Sequence, residues 1–296
     1  MRLLVTGGSG LLGHKIVLKA LEKGYEVIAT YNMHEIPFEK PNLRKVKLDI
    51  SNTVLLEDLI LKTRPEVIIH CAAYTDVDGC EINKLCAWKV NVEATRSIVL
   101  AARVTRAYLI YISTDYVFNG EKGLYKENDA PNPVNYYGLT KLIAEQLVVN
   151  RDLLYCIVRP SAIYGLGLGK KNFATFVVEK LSKGEVVKAV VDQYVSPTFN
   201  TLLAEALLEI AQLKPVGVFH IAGERMSRYD FAVKLDEVLD LPKENIMKAN
   251  VSDLKWVAKR PRDSSLDISK AASILKVKFY DTELALNMFK EEYGGS

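Results

Sequence analysis

The chain has 296 residues, of which 49% are hydrophobic and 25% are charged, values typical of an ordinary soluble globular protein. Its formal net charge of +3 is too small to indicate a nucleic-acid partner, and no apolar run reaches the roughly 18 residues of a membrane-spanning helix. The short apolar start from Met1 to Thr6 runs directly into glycines. This favours a first β-strand over a signal peptide and predicts a cytoplasmic protein.

Strand and helix patterns alternate through the first half of the chain. Strands are predicted at residues 2–6, 26–30, 45–48, 66–71, 108–113 and 154–158, and helices at residues 12–23, 54–63, 84–104 and 136–150. The strands are nearly continuous apolar runs, as expected when helices cover both faces of a parallel sheet. We therefore predict a Rossmann-type, doubly wound α/β fold. Its dinucleotide-binding domain is expected at residues 1–160, completed by later segments near 185–212.

The pattern becomes less regular after residue 160. Residues 165–171 are rich in glycine and lysine and predict a loop, helices are predicted at 173–183, 202–213 and 229–239, and a strand is predicted at 217–222. Ser227 and Asp230 indicate a capping box at the start of the last helix of this group. We expect residues 161–296 to form a smaller, mostly C-terminal α/β region that mainly binds the substrate.

Three glycines separate the first predicted strand from the first predicted helix. Gly7, Gly10 and Gly13 allow a tight turn and let the backbone approach a pyrophosphate, whose charge is favoured at a helix N-terminus. Their spacing is GxxGxxG rather than GxGxxG. The strand before them and the helix after them are nevertheless the context that a dinucleotide site requires. A bound dinucleotide is therefore predicted at this turn.

The end of the second predicted strand bears on which nicotinamide cofactor binds. A carboxylate that binds the adenosine ribose is expected there, but the chain has Tyr31 and Asn32 and no acid before Glu35. Without that charge a 2′-phosphate is not repelled, so NADPH (NADP) is the preferred cofactor and NAD the alternative. Asp49, after the third strand, can accept the adenine amino group or can simply begin the next helix.

Tyr137 and Lys141 lie four residues apart on a predicted helix, so their side chains share one face. The lysine charge is expected to lower the pKa of the phenol from about 10, which would let Tyr137 act as a general acid at neutral pH. Thr114, at the end of the fifth strand, can hold the substrate oxygen beside the phenol. Beside a dinucleotide, these residues predict hydride transfer assisted by proton transfer.

These motifs resemble those of the extended short-chain dehydrogenase/reductases, whose catalytic Ser/Thr, Tyr and Lys match Thr114, Tyr137 and Lys141. Asn91 matches the helix Asn that maintains the active-site architecture in that superfamily. Together with the turn and strand ends above, the resemblance implies a set of cofactor contacts. They are Gly7, Ser9, Gly10, Leu11, Leu12, Tyr31, Asn32, Asp49, Ile50, Cys71, Ala72, Ala73, Tyr74, Asn91, Ser113, Tyr137, Lys141 and Pro160.

Further strings look like those of one branch, the dTDP-4-dehydrorhamnose reductases, and span nearly the whole chain. They are Ser113-Thr-Asp-Tyr-Val-Phe118, Asp192-Gln-Tyr-Val-Ser-Pro-Thr198 and Arg260-Pro-Arg-Asp-Ser-Ser-Leu-Asp267, with Lys171-Asn-Phe173 as lesser support. The resemblance implies an oxidoreductase that uses NAD(P)H to reduce the 4-keto group of a nucleoside-diphosphate deoxysugar. The expected reaction is dTDP-4-dehydro-L-rhamnose to dTDP-L-rhamnose, and a homodimer is one assembly that the resemblance allows.

The resemblance also implies a set of substrate contacts, namely Thr75, Val77, Thr114, Asp115, Tyr116, Ala162, Lys171, Asn172, Phe173 and Arg260. The cationic side chains among and beside these could clamp a diphosphate, and they are Lys170, Lys171, Arg260 and Arg262. Phe173 could stack on a base. The alternative is that the cations are solvated surface charges beside a core phenylalanine.

Two positions depart from the family pattern. Ala162 stands where the family often has a tryptophan that packs on the sugar, which implies a larger pocket and leaves the hexose open. Lys15 stands where metal-bridged dimers of the family have an acid, so no metal is predicted. The four cysteines, Cys71, Cys80, Cys86 and Cys156, show no metal-binding spacing and are expected to be reduced thiols.

Two other functions compete with the reductase. Related dehydratases carry an acidic pair after the catalytic Thr, whereas Asp115 is followed by Tyr116, which argues against a nucleotide-sugar dehydratase or epimerase. The regulatory subunit of methionine adenosyltransferase resembles the same branch, and such a protein binds NADP and a partner enzyme without reducing a sugar. His220 lies in an apolar strand pattern and is interpreted as a core histidine rather than a catalytic one.

Overall fold

The computed structural model describes residues 1–149, 152–168, 171–241 and 243–295. Its strands are β1 (Arg2–Thr6), β2 (Glu26–Tyr31), β3 (Leu43–Lys47), β4 (Val67–His70), β5 (Tyr108–Ile112), β6 (Tyr155–Arg159), β7 (Ser161–Tyr164), β8 (Val187–Val190), β9 (Tyr194–Val195), β10 (Pro197–Phe199), β11 (Gly217–His220), β12 (Met226–Ser227) and β13 (Ile246–Ala249). Seven of them form one parallel sheet in the order β11-β6-β5-β4-β1-β2-β3. This sheet confirms the predicted Rossmann-type α/β fold.

Helices cover both faces of the sheet. They are α1 (Leu11–Glu22), α2 (Thr53–Thr63), α3 (Val77–Ile82), α4 (Lys84–Trp88), α5 (Ala94–Thr105), α6 (Tyr136–Val148), α7 (Phe173–Ser182), α8 (Asn200–Leu213), α9 (Arg228–Leu239), α10 (Ser269–Ala272) and α11 (Thr282–Gly294). Alternate strand residues enter two separate cores: Leu3 and Val5 pack with α1 and α8, and Leu4 packs with α2 and α5. Both faces are therefore apolar, which explains the continuous hydrophobic runs in the strands.

The centre of the sheet is the point where the strand order reverses. β1 pairs with β2 on one side and with β4 on the other, so that Leu4 lies opposite both Ile28 and Ile68. The chain connections leave this point in opposite directions, and a crevice results at the carboxyl ends of the strands. Ligands of open α/β sheets bind in that crevice, so the ligand site is expected there.

The long helix predicted at 84–104 is present in the structure and contains a π-helical turn. α3 and α4 meet at Asn83, whose side chain accepts a hydrogen bond from the Cys86 amide, and a π-helical turn at Lys89–Glu93 precedes α5. Asn91 lies inside that turn and is buried. Single π turns are frequent at functional sites, and this one carries a residue that the sequence had marked as an active-site support.

The second half of the chain contributes to both the main sheet and the smaller ones. β11 pairs with β6 and completes the seven strands, and α8 packs on α1. The remaining strands form three two-stranded sheets, which are β7 with β10, β8 with β13 and β9 with β12. Ser227 and Asp230 form the predicted capping box of α9. The division into domains at residue 160 stays a prediction.

Two features of the structure concern membrane spans and metal sites. Within the described ranges, every helix is too short or too polar to cross a membrane. The same residues contain no group of three or more His, Cys, Asp and Glu side chains placed to hold a metal ion. Lys15, at the position of the family's acid, forms an ion pair with Glu292 at 2.6 Å, and Thr201 donates to the other oxygen of that carboxylate.

Candidate active site

A cleft of about 1050 Å³ opens at the carboxyl ends of the parallel strands. Predicted cofactor contacts that line it are Gly7, Ser9, Gly10, Leu11, Leu12, Tyr31, Asn32, Asp49, Ile50, Cys71, Ala72, Ala73, Tyr74, Ser113, Tyr137, Lys141 and Pro160. Predicted substrate contacts that line it are Thr75, Val77, Thr114, Asp115, Tyr116, Ala162, Lys171, Asn172 and Phe173. We call the part at the ends of β1, β2 and β4 the cofactor half. The part at Tyr116, Ala162, Phe173 and Arg228 is the substrate half.

The glycine turn between β1 and α1 has the shape that a dinucleotide needs. Gly7 has φ +71°, and a Cβ there would lie 2.9 Å from the Cα of Ala72. A Cβ at Gly13 would lie 2.1 Å from the Gly7 carbonyl oxygen. Gly10 begins α1 without a side-chain cap, so the first amides of that helix are available to an anion. The residues present therefore fit a pyrophosphate.

The rim beside β2 has no acidic side chain of its own. Tyr31, Asn32 and His34 line the cleft there, while Glu35 is paired with Lys45 at 2.6 Å. Asp49 lines the cleft but also accepts a hydrogen bond from the Ser51 amide at 2.9 Å. This contact agrees with the local alternative for Asp49, and the carboxylate keeps a second oxygen for a ligand.

Asn91 does not line the cleft but fixes the loop that does. Its Oδ1 accepts from the Tyr74 amide at 2.8 Å, and its Nδ2 donates to the Tyr74 carbonyl at 3.2 Å and to Thr140 at 3.0 Å. Thr140 lies on α6 between Tyr137 and Lys141. The side chain of Asn91 therefore joins the loop after β4 to α6, and its role as an active-site support stays a prediction.

The three catalytic candidates lie in the same cleft. Thr114 follows β5, and Tyr137 and Lys141 project from adjacent turns of α6, whose N-cap Asn135 accepts a hydrogen bond from Gly138. The Thr114 hydroxyl donates to Asp115 at 3.0 Å and accepts from the Tyr116 amide at 3.2 Å. The Lys141 ammonium lies 4.2 Å from the centre of the Tyr111 ring. In the sheet, β5 lies next to β4 on the side away from β1. These residues therefore lie between the cofactor half and the substrate half.

The pKa values of the pair differ from the sequence expectation. Burial raises the pKa of Tyr137, and the Asp115 carboxylate raises it further, while a hydrogen bond with Thr114 opposes this. Burial lowers the pKa of Lys141 to about 7, although Glu145 and Cys71 favour its charged form. The expected lowering of the phenol pKa by Lys141 is therefore not seen. Removal from water favours the neutral form of both groups.

A buried ion pair anchors Ser113 from behind the cleft. Glu145, on α6, accepts hydrogen bonds from Ser113 and from Arg159, which ends β6. The shorter of the two Arg159–Glu145 contacts is 2.6 Å. Arg159 in turn contacts His220, which faces the Tyr125 and Asp267 carbonyls at 3.0 and 3.1 Å. His220 is fully buried, and burial lowers its pKa to about 3. It is a satisfied core histidine, as interpreted from the sequence.

Several predicted substrate residues also serve the fold. Asp115 is buried and accepts hydrogen bonds from Ser161 at 2.8 Å and Ser264 at 2.6 Å, in addition to Thr114. Asn172 caps α7. Lys171 is ion-paired with Glu179 and largely exposed. Lys170 lies outside the described residues.

Arg260 lies beside the cleft, close enough for its charge to act on Tyr116, which lines it. It is absent from the described lining of the cleft and forms an ion pair with Asp78 at 3.0 Å, with its guanidinium over the Trp256 ring. The cleft instead contains Arg228, the first residue of α9. The capping box at Ser227 and Asp230 locates this helix start in the sequence, but no local pattern shows that the start faces the cleft.

The fold and the site together define a nicotinamide-dependent oxidoreductase. A model of the family described as RmlD substrate binding domain matches residues 1–294. The chain belongs to this family, that of the dTDP-4-dehydrorhamnose reductases, and the resemblance read from the sequence is confirmed.

Curated relatives cover most of the chain. A probable low-salt glycan biosynthesis reductase of Haloferax volcanii is 36% identical over 91% of this chain and 90% of its own. A dTDP-4-dehydrorhamnose reductase of Aggregatibacter actinomycetemcomitans is 32% identical over 96% of this chain and 97% of its own. The methionine adenosyltransferase 2 subunit beta of Bos taurus is 30% identical over 92% of this chain and 82% of its own.

Solved structures show the same fold. A hypothetical dTDP-4-dehydrorhamnose reductase from Sulfolobus tokodaii is 44% identical, with a TM-score of 0.87 over 97% of this chain and 99% of that one. A dTDP-4-dehydrorhamnose reductase from Bacillus anthracis, solved in complex with NADP, is 28% identical, with a TM-score of 0.86 over 98% of this chain and 99% of that one.

Proposed function

We propose that this chain reduces the 4-keto group of a nucleoside-diphosphate deoxysugar with NADPH, and that its substrate is dTDP-4-dehydro-L-rhamnose. The observation that carries the proposal is the placement of Thr114, Tyr137 and Lys141 in one cleft with a glycine turn that fits a pyrophosphate. The names of the relatives support the sugar and the nucleotide.

The cofactor half would hold the dinucleotide through the Gly7–Gly13 turn and the amides that begin α1. The nicotinamide, when bound, supplies the hydride. Asn32 and His34, just after β2, line this half and carry no carboxylate that would repel a 2′-phosphate, which supports NADPH over NADH. Asn91 keeps the Tyr74 loop in the shape that lines this half.

Tyr137 would donate the proton to the sugar oxygen at C4. Its raised pKa keeps the phenol protonated throughout the neutral pH range, so the proton is available for transfer. An alkoxide formed at C4 is a stronger base than a phenolate, so proton transfer from Tyr137 remains downhill despite the raised pKa. A charged Lys141 would stabilise the phenolate that this transfer leaves.

Thr114 would orient the phenol. The hydrogen bond between Thr114 and Tyr137 lowers the pKa of the phenol, so it favours the phenolate that proton transfer leaves, and Thr114 is itself held by Asp115 and the Tyr116 amide. Asp115 is itself fixed by Ser161 and Ser264, which come from distant parts of the chain. This chain of hydrogen bonds supports a fixed position for the Tyr137 oxygen, with its proton left for the substrate.

The similarity to the methionine adenosyltransferase 2 subunit beta supports a second candidate, a regulatory subunit that binds NADP. Both candidates need the cofactor half. Only the reductase needs Tyr137 as a proton donor, so the sugar reaction distinguishes them.

A substrate panel tests the proposal. The protein is mixed with NADPH and with 4-keto sugars carried on dTDP, UDP or GDP, and loss of the reduced cofactor is followed by absorbance. We expect the fastest oxidation with dTDP-4-dehydro-L-rhamnose. If the protein binds NADPH but oxidises it with none of the sugars, the reductase proposal fails and the regulatory candidate takes its place.

A further inference from the structure

Arg228 differs from the other sheltered arginines because, among the residues that the structure describes, no carboxylate lies within ion-pair distance of it, although the charge of the buried Asp115 acts on it from farther away. Arg159 is paired with Glu145 and Arg260 with Asp78, whereas Arg228 forms no salt bridge with any carboxylate in the described part of the chain. Its side chain is half-buried and lines the cleft. A cation in a sheltered position normally has a counter-charge, either from the protein or from a ligand.

The guanidinium is held in place by neutral groups. Its Nε donates to the Gln193 side-chain oxygen at 2.8 Å, and its carbon lies 5.1 Å from the centre of the Phe173 ring. Gln193 is almost fully buried and donates in turn to the Pro261 carbonyl at 3.2 Å. The capping box of α9 fixes the backbone at Arg228. A rigid arginine of this kind loses little entropy when it binds an anion.

The surroundings of Arg228 leave space beside the reacting groups. Tyr116 hydrogen-bonds to it, and the Tyr116 ring lies 6.1 Å from the ring of Tyr137, centre to centre. Ala162, with φ +42°, contributes only a methyl group to the same cleft. The substrate half therefore combines a fixed cation, an aromatic face at Phe173 and open volume.

Resting on the proposed function, we propose that Arg228 is the anion-binding residue of the substrate half and binds an oxyanion of the sugar nucleotide. Two groups supply that chemistry, the diphosphate and a carboxylate on the sugar. Each presents paired oxygens that suit a guanidinium, and Arg228 lines the cleft with its Nε held by Gln193 and a further hydrogen bond to Tyr116. Arg228 thus takes the role that the sequence gave to Arg260.

The test is equilibrium binding to the full-length protein loaded with NADP⁺. The ligands are dTDP, UDP, and the pair UDP-glucose and UDP-glucuronate, which differ by one carboxylate. For Arg228→Gln we expect weaker binding by about ten- to a hundredfold, as for loss of a hydrogen bond to a charged group. Arg228→Lys should lose part of this affinity, because it keeps the charge but not the paired donors.

The ligands distinguish the two sources. If Arg228→Gln weakens dTDP and UDP, the diphosphate is the bound anion. If it weakens only UDP-glucuronate, relative to UDP-glucose, the anion is a carboxylate of the sugar. Unchanged affinity for all four ligands overturns the proposal, as does a loss of binding in Arg260→Gln that Arg228→Gln lacks.

Controls separate a local effect from a folding defect. Arg96, an exposed arginine of α5 outside the cleft lining, gives the matched control Arg96→Gln, which should bind every ligand normally. NADPH affinity of Arg228→Gln should equal that of the wild type. Because binding is read without turnover, a failure of the reductase proposal in the substrate panel would be visible separately from a failure here.

Discussion

The catalytic candidates Thr114 and Lys141 are buried and held by neighbouring groups, whereas two cations of the substrate half, Arg228 and Lys171, are only half-buried or exposed. Thr114 and Lys141 are 6% and 3% exposed, and Asn91 makes three hydrogen bonds to its surroundings. The Lys171 side chain, by contrast, is 70% exposed. The reaction chemistry is therefore fixed by packing, and the choice of substrate depends on a few adjustable contacts.

The largest effect should come from the proton donor. Tyr137→Phe is expected to lower kcat by about 10²-fold or more, the scale of a lost general acid, because no other described group replaces its hydroxyl. NADPH affinity should hardly change, since the substitution keeps the ring. Both quantities can be measured by steady-state kinetics and titration calorimetry.

Tyr136→Phe provides the matched control for that experiment. Tyr136 precedes Tyr137 on α6, and its ring faces Lys84 rather than the cleft. Its kinetics should be those of the wild type. Near-normal turnover of Tyr137→Phe would remove the tyrosine from the mechanism.

Cofactor preference should respond to a single charge at the end of β2. Asn32→Asp places a carboxylate where a 2′-phosphate is expected, and like charges repel. The preference for NADPH over NADH should fall by about tenfold, which corresponds to ~1.4 kcal/mol. Dissociation constants for both cofactors measure this. Asn42→Asp, at an exposed position outside the cleft lining, should leave the preference unchanged. An NADH preference in the wild type would contradict the assignment.

The size of the side chain at residue 162 should affect the KM for the sugar nucleotide. Ala162→Trp adds an aromatic face to the substrate half, and the KM for dTDP-4-dehydro-L-rhamnose should fall by several-fold, at most about tenfold, for a contact worth roughly 0.5–1.5 kcal/mol. Ala162→Gly tolerates φ +42° without adding volume and is the control. A rise in KM for Ala162→Trp alone would mean that the native sugar is bulkier than this hexose.

The smallest expected effect is the uptake of a proton when NADPH binds. Burial lowers the pKa of Lys141 to about 7, so near pH 8 the side chain is mostly neutral in the free protein. The negative charges of NADPH favour the ammonium and raise that pKa, so binding near pH 8 should take up about one proton or less per site. Calorimetry in buffers of different ionisation enthalpy measures the uptake. Lys141→Met should abolish it, and proton release by the wild type would contradict this account.

The parts of the site that are encoded locally could be predicted from the sequence. Gly7 and Gly13 belong to one turn, and Tyr137 and Lys141 lie on one helix. Short-range spacing in the sequence is therefore enough to identify them. The parallel sheet followed from the alternation of strands and helices, and its order agrees with the Rossmann-type fold.

Features that depend on distant segments could not be predicted in the same way. The sequence marks Arg260 as an anion binder and does not single out Arg228, and only the folded position of Asp78 shows that Arg260 is already paired. The helix predicted at 84–104 starts where Asn83 caps it, but the π turn at Lys89–Glu93 within it could not be predicted from its spacing. Likewise, the pKa of Lys141 is set by burial, which a YxxxK spacing does not reveal.

The central claim, hydride delivery to C4 with a proton from Tyr137, is tested most directly with NADPH deuterated at C4 of the nicotinamide. After reaction with dTDP-4-dehydro-L-rhamnose, the product is examined by NMR and mass spectrometry. We predict one deuterium at C4 of the sugar and one equivalent of cofactor consumed for each product formed. Product without net cofactor consumption, or deuterium at another carbon, would contradict the account.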